Sequence, residues 1–239
     1  MTASDTALSG NPLLASWTTP FGLPPFESIA PEHYKPAFDT ALAEQQAQIA
    51  AIADNAEAPT FANTIEALET SGQTLKKVGG VFFNLAGSHT NDAIQAVERE
   101  MAPILAKHRN SIFMNEALYK RVAALYEKRG SLGLSAEQAR VLDRYHTIFV
   151  RAGAKLGPDE KKRLAAITER LASLGTQFSQ NVLADEKSYQ LVLEGEADLE
   201  GLPSFLREAA AQAAEERGLK GKYVITLSRS SIEPFLQFS

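Results

Sequence analysis

Apolar residues recur at helical spacing along most of this chain, and the breaks in that rhythm mark out its elements. From Pro31, a residue suited to a first helical turn, Tyr34, Phe38, Leu42, Ile49 and Ile52 fall near one face and predict a helix ending near Asn55. After a short break at 56–59, Thr60 is placed to cap a second helix with Asn63 behind it. Ile65, Leu68, Leu75, Val78, Phe82 and Leu85 carry that helix forward at mixed helical spacings, and Gly79 and Gly80 predict a kink or a close approach within it.

Three further segments read as helices: about Asp92 to Asn110, Asn115 to Arg129 after an Ile112, Phe113, Met114 patch, and Ser135 to Ala152, with Gly130 and Gly133 as punctuation. The clearest pattern follows Pro158. There Leu164, Ile167, Leu171, Leu174, Phe178 and Val182 step along one stripe while Asp159, Glu160, Lys161 and Lys162 face water.

The texture then changes. Tyr189, Leu191 and Leu193 alternate with polar or β-branched neighbours, and Tyr223 to Leu227 is a β-rich run, so both read as short strands. Between them Pro203 to Arg217 reads as a helix with Phe205, Leu206, Ala209, Ala210 and Ala213 on one side and Gly218 as its stop. Ser231 to Leu236 reads as the start of another helix, which the sequence leaves unfinished.

Residues 1–30 are rich in Ser, Thr, Gly and Pro, and the run Pro20 to Phe26 forbids a regular helix or central strand. This is an extended arm whose Trp17, Phe21, Leu23 and Phe26 are expected to anchor it on the body. The expected fold is mainly α, with two short strands near the C-terminal end. Its expected organisation is an arm at 1–30, a helical domain at 31–187 and a small mixed α/β segment at 188–239. Nothing recurs at the period of a tetratricopeptide or HEAT array.

Composition fits a soluble globular chain, with 44% hydrophobic and 22% charged residues, which excludes the disordered class. A formal net charge of −5 with mixed signs disfavours nucleic acid as a partner. The absence of cysteine removes disulfides, thiol nucleophiles and Cys-built zinc sites. No apolar run long enough for a membrane span and no basic, apolar leader near Met1 leave the cytoplasm as the expected location.

Candidate chemistry is sparse. A helical zinc peptidase needs two His one turn apart with a Glu between them, and His33, His89, His108 and His146 are all far apart. No metal site is assigned to them, and His89 is read as part of a loop and cap before the next helix. There is no Gly-x-Ser-x-Gly elbow and no phosphate-binding Gly-Lys loop. Asp159 with Glu160, Glu215 with Glu216, and the basic spots Lys161 to Arg163, Lys220 and Lys222 read as solvated faces. No catalytic or metal residue is therefore assigned, and no substrate-binding residue is singled out.

Several strings carry a resemblance: Phe26-Glu-Ser-Ile-Ala-Pro-Glu-His-Tyr-Lys-Pro-Ala-Phe38, Phe61-Ala-Asn-Thr-Ile-Glu-Ala-Leu-Glu69, Val81-Phe-Phe-Asn84 with His89-Thr-Asn-Asp92, Phe149-Val-Arg-Ala-Gly-Ala-Lys-Leu156, and Leu174 to Asn181. From about Asn11 to Tyr223 the chain resembles the N-terminal region of the thimet oligopeptidase family of zinc metallopeptidases, particularly its peptidyl-dipeptidase branch. The resemblance implies a multi-helix bundle of the neurolysin-like N-terminal type, forming one wall of a deep channel that admits short peptides. It also implies a parent enzyme that releases C-terminal dipeptides. Zinc would be held in that parent by a His-Glu-x-x-His helix and a downstream Glu, none of which has a matching position here.

By this reading the chain alone binds no cofactor and is inactive. Its partners would be short peptides together with the missing catalytic domain, and its exposed apolar surface would allow self-association. A free-standing helical interaction module is the alternative that composition permits.

Overall fold

The structure, a computed structural model, describes residues 10–239; the first nine residues of the arm lie outside them. The chain divides into two compact units between Thr176 and Gln177. It is mainly α, with a single two-stranded antiparallel sheet among the described residues.

In the first unit, α1 (Tyr34–Ala53) packs on α3 (Gln73–Ser88), α4 (Asp92–Phe113) and α5 (Glu116–Glu127), and α5 pairs with α6 (Ala136–Arg151). Two apolar clusters form. Tyr34, Phe38, Val78, Phe82, Ile94 and Met101 meet near the start of α1, with Phe82 edge-on to both Tyr34 and Phe38. Ile49, Ile52, Ile65, Leu118, Leu142 and Phe149 meet near its end. The expected stripe on α1 is present, though Ala37 and Ala41 are fully buried in place of the half-buried Leu42.

The helix expected to run from Thr60 through Leu85 is broken. Thr60 does cap it, accepting from the Asn63 amide while the Asn63 side chain accepts from the Thr60 amide. The first turns, Phe61–Glu66, are π-helical and lead into a short α2 (Ala67–Thr70). Ser71 is extended, and Gly72 at φ 66° turns the chain left-handed before α3 begins. At Gly79 and Gly80, α3 continues without a break, and the close approach that was the other expectation is absent: their faces meet nothing closer than the Phe83 ring at 3.9 Å.

Helix ends follow cap chemistry elsewhere. Asn91, Asn115 and Ser135 each accept the amide three residues on, starting α4, α5 and α6. The Ile112, Phe113, Met114 patch is the end of α4 and not a separate segment, with Ile112 buried in the second cluster. The buried Arg121 of α5 ties down the 55–63 stretch, donating to the carbonyls of Asn55 and Glu57 at 2.8 and 3.0 Å and to the Asn63 side chain at 2.9 Å.

In the arm, Trp17 packs on the first cluster, donates to the Pro12 carbonyl at 2.8 Å and lies under the Lys77 ammonium. The expectation fails for Phe21, Leu23 and Phe26, which are exposed; Phe21 is wholly so, on a left-handed turn made by Pro20–Gly22. Leu13 and Asn11 hold the arm instead: Leu13 is fully buried, and the Asn11 amide donates to the His33 carbonyl at 2.8 Å.

The long helix α7 spans Pro158–Ser188, as its stripe foretold, yet none of its residues is buried. Ile167, Leu171, Leu174, Phe178 and Val182 are all exposed, Leu171 by 60% and Phe178 by 69%.

In the second unit β1 (Leu191–Leu193) pairs antiparallel with β2 (Tyr223–Ile225), Val192 opposite Val224. β2 packs on α8 (Ser204–Glu216) and on α9 (Arg229–Phe238). The face of α8 that is buried carries Leu206, Ala210 and Ala214, so Phe205 and Ala209, expected inside, lie outside. Arg207 fastens the 196–202 turn by donating to the carbonyls of Leu199 and Leu202.

Gly72→Ala should cost about 2 kcal/mol, because a left-handed non-glycine is disfavoured and its Cβ would fall 2.3 Å from the Gln45 side-chain nitrogen. Gly80→Ala, mid-helix with open space around it, should instead gain about 0.5–1 kcal/mol. Urea unfolding of the two variants reads the opposite signs; equal signs would contradict the placement of the break.

Candidate functional site

The buried stripe of α1 is interrupted. Between Ala41 and Ile49 its inward positions are Gln45 and Gln48, two amides where helical spacing calls for apolar side chains. Both find partners at the Ser71–Gly72 break. Gln48 Oε1 accepts the Gly72 amide at 2.8 Å, a group left without a helical partner because the chain turns there. Gln45 Nε2 lies 3.5 Å from Ser71 Oγ, which itself donates to the Leu68 carbonyl at 2.7 Å.

His108, from α4, completes the layer, with Nε2 2.8 Å from Gln45 Oε1. Because Gln45 presents its oxygen, the neutral ring carries its proton on Nε2. Burial pushes the pKa of His108 below the usual imidazole value, since a cation is poorly solvated there.

Beside this layer lies a cavity of about 320 Å³. Its apolar lining comes from Ile49, Leu68, Leu75, Leu105, Ile112 and Phe113, and its polar groups from Gln45, Ser71, His108 and Tyr145, with Lys76 and Arg109. Burial, and then the hydrogen bond to the Glu69 carboxylate, push the Tyr145 phenol far up, so it remains a donor throughout the physiological range. Lys76 Nζ reaches the Glu69 carbonyl at 3.2 Å, and the Arg109 guanidinium lies over the Phe113 ring at 5.4 Å.

The other histidines are engaged separately. His33 Nδ1 accepts the Ala30 amide at 3.0 Å. His146 stacks on Tyr126 with ring centroids 3.8 Å apart, and burial followed by Lys155 lowers its pKa. His89 closes α3, its amide bonded to the Leu85 carbonyl, while the cap of the next helix is Asn91. Among the described residues no three His, Cys, Asp or Glu side chains come together as a metal would require. The residues present thus do not fit the zinc centre that the family resemblance implies for a parent enzyme.

The acids and bases read as solvated faces are spread in the same way. Glu160 accepts the Gly157 amide at the start of α7, and Glu215, Glu216 and Lys220 are exposed. The sequence names His108 only as a histidine without a metal role, and it does not mark out Gln45, Gln48 or Tyr145. The visible signal was the gap in the α1 stripe between Leu42 and Ile49, where two glutamines occupy inward positions.

His108 should make stability pH-dependent. Its folded pKa lies below its unfolded value, so its contribution is complete above the unfolded pKa, about 6.5, and is lost as the pH falls towards the folded one. Urea unfolding at neutral and mildly acidic pH should therefore show stability falling on acidification, and His108→Gln should flatten that fall. An unchanged slope would remove His108 as a source, leaving His146, whose shift has the same sign.

No helix among the described residues is long and apolar enough to cross a membrane. No family model matches the chain. It is 42% identical over 226 residues to the dipeptidyl carboxypeptidase of Escherichia coli, a match covering 95% of this chain and 33% of that protein. The dipeptidyl carboxypeptidase of Salmonella typhimurium is 39% identical over 96% of this chain and 34% of its own length. The oligopeptidase A of Escherichia coli is 28% identical over 95% and 33%. The chain spans about a third of the length of these curated relatives. Over nearly its whole length, then, this chain is similar to dipeptidyl carboxypeptidases and oligopeptidases A, and it matches about a third of such a peptidase.

Proposed function

We propose that this chain is the N-terminal, channel-wall part of a cytoplasmic zinc metallopeptidase that cleaves short peptides and releases C-terminal dipeptides. An arm at 1–30, a helical body at 31–187 and a mixed segment from 188 onward form its organisation, and zinc and the catalytic residues belong to the remaining two thirds of the parent. The observation that carries this reading is the 42% identity to a dipeptidyl carboxypeptidase, extending over almost the whole chain but only a third of the relative. The wall role draws support from α7, whose apolar stripe is exposed from Ile167 to Val182. A helix with that many exposed large apolar residues is the kind of surface a further part of a protein covers.

Two measurements test the proposal. Dipeptide release from a short peptide, with zinc added, should be indistinguishable from a heat-killed control for the 239-residue chain, and should appear when the reading frame is extended to a His-Glu-x-x-His segment. Turnover by the chain alone, or a frame lacking that motif, would overturn it; the latter would favour a free-standing interaction module.

The second measurement follows the exposed stripe. A light-scattering dilution series should show self-association at high concentration, and Phe178→Lys with Leu171→Lys should abolish it without lowering stability, since neither side chain is buried. A monomer at every concentration would count against an uncovered apolar face.

A further inference from the structure

We propose that the cavity beside Gln45 and His108 is a binding site for a small free organic carboxylate with an apolar body. Four features of the first unit carry this. The volume, about 320 Å³, lies at the lower end of the range of small-molecule sites, too small for a nucleotide or cofactor of the usual size and ample for a short aryl or alkyl acid. The lining is largely aliphatic and aromatic, with Leu75, Leu105, Ile112 and Phe113 from α3 and α4 forming a surface that would take the hydrocarbon part.

Two cations on the lining then offer partners for the charged group. Lys76 and Arg109 come from different helices, and among the described residues neither makes an ion pair with a carboxylate. Lys76 is held near the cavity by the Glu69 carbonyl, and Arg109 by the Phe113 face. A guanidinium fork matches a carboxylate by two parallel hydrogen bonds, which favours a planar acid over a simple halide or a neutral alcohol. The Glu69 carboxylate accepts a hydrogen bond from the Tyr145 phenol and, among the described residues, makes no ion pair with either cation.

Finally, the polar layer leaves the acid to the cations. His108 Nε2 is committed to Gln45, and the hydroxyls of Ser71 and Tyr145 donate to the Leu68 carbonyl and the Glu69 carboxylate, so the charged donors on this lining are Lys76 and Arg109. A ligand seated here touches α1, the Ser71–Gly72 break, α4 and α6 together. Its binding would therefore stiffen the junction on which the helices of the first unit meet.

The test uses the 239-residue chain and phenylbutyrate as probe, followed by the ring resonances of His108 in NMR spectra and by the rise in thermal midpoint. Phenylbutyrate should bind saturably with a shift of His108. Phenylbutanol, of the same shape but uncharged, should bind about tenfold more weakly. Arg109→Met and Lys76→Met, both exposed positions that leave the core intact, should each weaken phenylbutyrate by about the same factor and leave phenylbutanol unchanged. Equal affinity for acid and alcohol, an unchanged affinity in both variants, or no saturable His108 shift would overturn the assignment. A dipeptide ending in phenylalanine presents the same carboxylate on a peptide. Weaker binding than phenylbutyrate supports a free acid as ligand, and tighter binding overturns that choice. None of these readouts depends on proteolysis, so a failure here leaves the peptidase reading untouched, and the reverse.

Discussion

The first unit depends on a polar seam. Two glutamines on the buried face of α1, Gln45 and Gln48, receive the chain where it stops being helical at Ser71 and Gly72, and a histidine from α4 closes the arrangement. A neutral buried hydrogen bond contributes only about 1 kcal/mol net, but a buried amide left without its partner costs about 1–3 kcal/mol, so such a seam specifies more than it stabilises. It lies between two apolar clusters, one built on Tyr34, Phe38 and Phe82 and the other on Ile49, Leu118 and Phe149. Sliding α1 against α3 by one turn would leave both clusters apolar yet strand the Gly72 amide and both glutamines. Apolar surface alone tolerates such shifts; the seam does not.

Arg121 plays a comparable part at the other end of the same cluster. Its guanidinium is buried without a carboxylate, bonded to two backbone carbonyls and the Asn63 amide oxygen, and its Nε is left unpartnered. Dipoles of this kind solvate a cation less well than water, and the arrangement persists because removing the charge would leave several oxygens of the 55–63 stretch without donors. Together the seam and the clamp determine where the π-helical turns 61–66 sit against α5 and α6. The cavity proposed as a ligand site is thus bordered by elements held through directional bonds, a condition for a preorganised site.

The sequence carried the helical elements well and their surroundings poorly, for identifiable reasons. Cap residues such as Asn115 and Ser135 act on amides three residues away, so local pattern was enough to place α5 and α6. The break at Ser71–Gly72 was hidden because Leu68 and Leu75 are two helical turns apart and kept the stripe in phase across it. The partners of Gln45 and Gln48 lie 24 to 63 residues distant, beyond any periodicity, so the seam was visible only as a gap in a stripe. In the arm, large apolar side chains were expected to bury themselves, yet Leu13 took that place and Phe21 remained outside on a turn that Pro20 and Gly22 impose. Periodicity described α7 correctly as an amphipathic helix, but it reports the shape of a face and says nothing of what lies against it.

That last helix has a consequence for exchange with solvent. In α7 no residue is buried, and the stripe from Ile167 to Val182 is exposed, so the amides there are shielded chiefly by the helical ladder. Their deuterium uptake therefore records local fraying and reclosure, at free energies well below that of global unfolding, while amides near Phe82 or Phe149 open only when a whole cluster does. Any molecule that settles on the Leu171–Phe178 face announces itself first as a slowing of uptake along those turns, before a change in melting would be seen.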